Sequence, residues 1–81
     1  NAVSSGPIRT AAAAGIPGIR KMIQQSAQCS PLPRSVSTEE VGEACAFLCS
    51  PRAAAITGTT LYVDNGYHCV GGDFSLEQEN E

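Results

Sequence analysis

Apolar positions recur along this chain with two different periods, and the change of period divides it into elements. Ile16, Ile19, Ile23 and Ala27 fall at helical spacing, while Arg20, Lys21, Gln24, Gln25 and Gln28 lie mostly elsewhere, so a helix is expected over about Pro17 to Gln28. A second helix is signalled more strongly. Ser37-Thr38-Glu39-Glu40 reads as a capping box, with Val36 and Val41 placed for a hydrophobic staple. Val41, Ala44, Cys45, Leu48 and Cys49 form its apolar stripe, and it should stop before Pro51. The period then drops to that of a strand, since Thr59 to Val63 is rich in β-branched and aromatic residues. Asn1 to Ser4 reads as the end of another strand whose start is missing.

Punctuation residues separate these elements. Gly6-Pro7 marks a turn after the first strand, and Gly15, Pro17 and Gly18 break the small-residue stretch from Ala11 to Gly18. That stretch has little apolar mass to anchor it and is expected to be mobile. Ser30-Pro31-Leu32-Pro33-Arg34 is an extended connection, because Pro31 and Pro33 disfavour helix. Asp64-Asn65-Gly66 ends the later strand. Asn-Gly is ordinarily a hairpin signal, so a return strand over Tyr67 to Val70 is the lesser alternative.

These elements bound the fold class. The expectation is α/β, the C-terminal part of a doubly wound parallel sheet of Rossmann-like type, incomplete on its own. A buried parallel strand needs neighbours on both edges and helices on both faces, and 81 residues do not supply them. The chain begins with Asn1 and is expected to be a piece of a longer protein. No apolar run approaches the ~20 residues needed to span a bilayer, so no membrane role is expected, and nothing suggests nucleic acid.

Charge is segregated along the sequence. Residues 1–38 carry Arg9, Arg20, Lys21 and Arg34 and no acid, which is +4; residues 39–81 carry eight acids and Arg52, which is −7. The first part suits an anionic partner. The acidic stretch 73–81 reads as a disordered tail. Cys29, Cys45, Cys49 and Cys69 lack the spacing of zinc ligands or of a redox pair, and are expected to be small apolar core residues with no metal bound.

The Gly6-Pro7-Ile8-Arg9-Thr10 turn is the best candidate for chemistry. At the C-terminal end of a parallel strand, a loop faces the ligand crevice. Gly and Pro let backbone groups approach a flat amide ring, and the Thr10 hydroxyl can either reach a phosphate oxygen or cap a helix.

Three segments carry a resemblance. They are Asn1-Ala2-Val3-Ser4-Ser5-Gly6-Pro7-Ile8-Arg9-Thr10, Val41 to Ser50, and Ile56-Thr57-Gly58-Thr59-Thr60-Leu61-Tyr62-Val63-Asp64-Asn65-Gly66. In order and spacing they resemble the last third of the short-chain dehydrogenase/reductase superfamily. The Gly-Pro order, followed by an alanine-rich stretch and Gly15-Ile16, resembles the enoyl-acyl-carrier-protein reductases of bacterial and plastid fatty-acid synthesis.

The resemblance implies that residues 1–72 form the C-terminal portion of a reductase domain using NADH, with NADPH not excluded. Pro7 and Ile8 would lie against the nicotinamide, Thr10 would reach the pyrophosphate, and Ile8, Arg9, Thr10, Ala11 and Ala12 would wrap the cofactor. Ala12, Ala13 and Ile16 would line the acyl pocket. Arg20 and Lys21, on the helix just beyond, would meet an acidic acyl carrier protein. The resemblance also implies a homotetramer, with the last strand near a subunit interface, in a bacterial cytoplasm or a plastid stroma. The family's Gly-rich cofactor turn, and its catalytic Tyr with a Lys six residues beyond, are absent from these 81 residues, so no catalytic residue is assigned. Tyr62, Tyr67 and His68 read as packing, surface or interface residues. Two other readings stay open: another short-chain dehydrogenase such as a 3-oxoacyl reductase, and a non-catalytic interaction or oligomerisation piece.

Overall fold

A computed structural model describes residues 1–70. The acidic stretch 73–81 lies outside the described residues. In chain order the elements are strand β1 (Ala2–Ser4), a 3-10 turn (Ala13–Gly15), helix α1 (Ile19–Cys29), helix α2 (Thr38–Leu48), a 3-10 turn (Pro51–Ala53), strand β2 (Thr60–Tyr62) and a 3-10 turn (Tyr67–Cys69).

The two strands pair in parallel, with Ala2 opposite Thr60, Val3 opposite Leu61 and Ser4 opposite Tyr62. The fold is α/β with a partial, open parallel sheet. Parallel strands are stable when both faces are covered, and here they are not. Among the described residues only Ile23, Cys29 and Ala53 are buried apolar positions, and no large side chain is fully buried.

Helix α2 forms as its sequence dictates. The Ser37 side chain accepts from the Glu40 N–H at 3.1 Å, and the Glu40 carboxylate accepts from the Ser37 N–H at 2.9 Å. Two otherwise orphaned donors are thereby satisfied. Helix α1 starts two residues later than its pattern suggests, because Gly18 adopts a left-handed φ of 77° as the N-cap. It ends where the Ser30 hydroxyl donates to the Ser26 carbonyl at 2.6 Å.

Some expectations need correcting. Ile16 is not on the buried face of α1: it lies outside the helix in extended backbone and is exposed, while Ile23 is buried. Only Cys29 among the cysteines is a core residue, for Cys45, Cys49 and Cys69 are exposed. Periodicity identifies a face, but nothing among the described residues covers that part of α2. The lesser alternative, a return strand over Tyr67 to Val70, does not form, since Tyr67–Cys69 is a 3-10 turn. Folding pairs one cation of the basic part, Arg34, with Glu40.

Candidate functional site

β1 delivers the Gly6–Thr10 turn, and its position is fixed from both ends. The Val63 N–H donates to the Ser4 carbonyl at 2.9 Å, which carries the pairing to the last residue of β1. At the other end Asn1 spans two segments. Its side-chain amide donates to the Ile56 carbonyl at 3.0 Å, and its oxygen accepts from the Thr59 N–H at 3.1 Å. Asn1 was not a candidate from sequence, and no local signal marks it.

Gly6 has a φ of 68°, a conformation that costs a side-chain-bearing residue roughly 1–2 kcal/mol. Beyond it the backbone N–H groups from Ile8 to Ala12 have no partner among the described residues. The chain then curls back at Thr10. The Thr10 hydroxyl oxygen accepts from the Ala13 N–H at 3.0 Å, and its carbonyl accepts from the Ala14 N–H at 3.0 Å. Thr10 thus closes a turn rather than capping a helix, since Ala12 is the N-cap of the 3-10 turn that follows. A hydroxyl that accepts still has its own proton to donate, so it stays available to a phosphate oxygen.

The segment after the turn encloses an open concavity of about 970 Å³. Arg9, Thr10, Ala11, Ala13, Ile16 and Arg20 all line it. Ala12 and Lys21, also candidates from sequence, do not. Pro7 instead faces a second concavity of about 410 Å³ with Met22 and Tyr67, while the half-buried Ile8 lines neither. Ile19 and Ile23 add apolar wall to the larger concavity. Their helical spacing with Ile16 is the sequence signal for this wall.

A second turn, Asp64-Asn65-Gly66, supports the first from below. A Cβ on Gly6 would lie 3.9 Å from that of Asp64. The Asp64 carboxylate accepts from the N–H groups of Gly66 and His68, at 3.1 and 3.0 Å, and lies 3.1 Å from His68 Nδ1. The imidazole stacks on Tyr62, with centroids 3.7 Å apart and planes 8° from parallel. Cys69 Sγ lies 3.3 Å from His68 Nε2 and 3.9 Å from Nδ1. A thiol on the in-plane lone pair of Nε2 would be much farther from Nδ1, so the sulfur sits over the ring face. Cys69, His68 and Asp64 therefore form no proton relay, consistent with reading His68 as a surface or interface residue.

The Ser30–Ser37 connection is tied to this turn. The Leu32 N–H donates to the Asn65 carbonyl at 3.1 Å. Arg34 forks onto Glu40, at 3.0 and 2.9 Å. The hydrogen bond from Arg34, helped by those from Ser37, lowers the Glu40 carboxyl from 4.5 to about 2. Arg9 and Arg20, by contrast, have no carboxylate partner among the described residues.

The family model for enoyl-(acyl carrier protein) reductase matches residues 1–68. The chain belongs to that family. It is 42% identical over 79 residues to the NADH enoyl-[acyl-carrier-protein] reductase FabI of Aquifex aeolicus, covering 98% of this chain and 29% of that protein. It is 48% identical over 67 residues to the Escherichia coli FabI, covering 83% and 26%. The chloroplastic NADH enzyme of Arabidopsis thaliana is 46% identical over 71 residues, with 88% and 18% covered. Among solved structures, the Plasmodium berghei reductase with triclosan superimposes with a TM-score of 0.82 at 37% identity, over 88% of this chain and 25% of that one. The Bacillus cereus enzyme, solved with NADP+, gives 0.81 at 40% identity, over 89% and 28%. The chain thus spans between about a fifth and three tenths of the length of these relatives. Among its described residues no helix is long and apolar enough to cross a membrane.

Proposed function

We propose that the protein carrying this chain reduces trans-2-enoyl thioesters of acyl carrier protein with NADH, in type II fatty-acid synthesis. The observation that carries this reading is the turn at the end of β1. A glycine in left-handed backbone leads into a run of amides without a partner among the described residues, and the segment beyond lines a concavity where Ala11, Ala13 and Ile16 stand beside Arg9, Thr10 and Arg20. Free amides at a strand's C-terminal end suit a carboxamide and phosphate oxygens.

Bound NADH supplies a hydride for the β-carbon of the thioester. The chain's own share is orientation. Pro7 and Ile8 form the wall for the nicotinamide, with the Ile8 amide and carbonyl free to hold its carboxamide. Thr10 offers its hydroxyl proton to the pyrophosphate while its oxygen keeps the turn closed. Ile8 to Ala12 wrap the cofactor, and Ala12, Ala13 and Ile16 leave room for an acyl chain. Arg20 and Lys21 attract the acidic carrier. NADPH is the alternative reductant. Assembly as a homotetramer goes with the same reading, and so does a bacterial cytoplasm or a plastid stroma, the last in keeping with the chloroplastic names of the plant relatives.

The test is NADH consumption by the full-length protein, with a crotonyl thioester and a 3-oxoacyl thioester side by side. Reduction of the crotonyl substrate alone is expected. Preference for the 3-oxoacyl substrate would replace this reading with that of another short-chain dehydrogenase. The 81-residue chain assayed alone should show no turnover, because it has no Tyr with a Lys six residues beyond and no Gly-rich turn.

A further inference from the structure

The turns after β1 and β2 meet at three successive places. The Val63 N–H donates to the Ser4 carbonyl at 2.9 Å. A Cβ on Gly6 would lie 3.9 Å from that of Asp64. Pro7 and Tyr67 then line one concavity. A change of shape in the turn after β2 is therefore felt by the turn that bears Pro7 and Ile8.

Asp64 sets that shape. Each of its carboxylate oxygens accepts one backbone N–H, Oδ1 from Gly66 at 3.1 Å and Oδ2 from His68 at 3.0 Å. His68 Nδ1 lies between the two, 3.2 Å from Oδ1 and 3.1 Å from Oδ2. A carboxylate at Nδ1 keeps a ring proton there, in the neutral imidazole as in the charged one. No other side chain donates to Asp64 among the described residues. The Asp64 side chain is only 10% exposed, so water is poorly placed to replace that donor. The ring is itself held, stacked on Tyr62 with planes 8° from parallel.

We infer that His68 is a positioning residue for the nicotinamide wall. Its Nδ1–H fixes the Asp64 carboxylate, and Asp64 supports the Gly6–Pro7 turn from below. The imidazole touches neither cofactor nor substrate and acts through Asp64. The inference rests on the proposed reductase reading, which makes Pro7 and Ile8 that wall.

Two variants separate the donor from the ring. His68→Phe keeps a ring to stack on Tyr62 and loses the donor. His68→Asn loses the ring and keeps a donor close to the place of Nδ1. In the full-length protein, fluorescence titration should show NADH bound about fivefold more weakly by His68→Phe, within the range of one hydrogen bond. His68→Asn should stay within about twofold of wild type, less than the weakest such bond. His68→Ala loses ring and donor together and should match His68→Phe, and it stands in for that variant if the phenyl ring prevents folding. At saturating NADH, the KM for crotonyl N-acetylcysteamine thioester, which has no carrier protein, should move by less than about twofold in all three, since His68 lines neither concavity. A packing role predicts the opposite order, with His68→Phe like wild type and His68→Asn weak, and would overturn the inference. So would equal weakening by His68→Phe and His68→Asn, or unchanged NADH affinity in all three variants, even where the melting temperature falls. Wild-type protein that binds no NADH would instead overturn the reductase reading beneath it.

Discussion

The Asn65 side-chain amide donates to the Arg34 carbonyl at 2.7 Å, joining the turn after β2 to the connection between the helices. Asn65 also occupies left-handed backbone, with a φ of 56°. Asparagine tolerates that conformation better than most residues. Asn65→Ala loses both advantages and should destabilise the full-length protein by about 1–3 kcal/mol. Denaturant unfolding measures it. Stability within about 0.3 kcal/mol of wild type, the scale of additivity error, would mean that the two segments are held together by other contacts.

Two glycines in the paired turns should differ in what they tolerate. Gly6 and Gly66 both have positive φ, at 68° and 86°. A Cβ on Gly6 meets only ordinary van der Waals contact, but one on Gly66 would lie 3.0 Å from Pro31 Cγ. Gly66→Ala should therefore lower the melting temperature more than Gly6→Ala. The reverse order would indicate that the Pro31 ring shifts freely.

Glu40 should titrate far below an ordinary glutamate. Its carboxyl is lowered from 4.5 to about 2, with the Arg34 hydrogen bond as the largest cause. A depressed carboxyl favours the folded state above the unfolded pKa. That contribution fades as pH falls from about 4.5 toward about 2. Both side chains are largely exposed, so the stability involved is small. Carboxyl-carbon NMR titration should place Glu40 lowest among the glutamates, and Arg34→Met should move it upward. An ordinary titration in wild type would mean that the fork does not persist in solution.

Thr10→Ala should weaken NADH binding in the full-length protein by about 1–2 kcal/mol, the scale of one hydrogen bond to a charged group. Thr10→Ser keeps the hydroxyl and should stay close to wild type. Fluorescence titration with NADH reads both. Unchanged affinity in Thr10→Ala would confine the hydroxyl to its bond with the Ala13 N–H.

Lys21→Glu should slow reduction of the carrier-protein substrate more than that of the N-acetylcysteamine thioester. The difference should shrink as salt rises, since exposed charges are screened over ~10 Å at 0.1 M. Steady-state kinetics at two ionic strengths checks it. A salt-independent loss on both substrates would point to damage to helix α1.

What the sequence revealed was mostly local. The Ser37–Glu40 box spans four residues, and the β-branched run from Thr59 shows its own period. The Asn65-Gly66 hairpin signal carried little weight because it describes only backbone preference. Asp64 captures the N–H groups of Gly66 and His68 and curls the chain into a 3-10 turn before a return strand can form. Asn1 was invisible because its partners lie 55 and 58 residues away. Cys45 and Cys49 showed a helical face, but a period says nothing about what covers it. At the site, the turn and Thr10 were legible; the separation of Arg20 from Lys21 was not, because it depends on where α1 rests against the small-residue segment.

Parallel pairing of β1 with β2 joins residue 2 to residue 60. Closing a loop of that length costs roughly 4 kcal/mol of chain entropy beyond a constant. Helix α2, with its cap and the Arg34 fork, closes over six residues or fewer. Local pieces can therefore form early, while the strand pair that positions the Gly6 turn is a late arrival with a weak individual reward. A ligand that recognises the turn only in its paired shape must stabilise that pairing by mass action. Cofactor binding and completion of the fold are then one thermodynamic event at this end of the sheet.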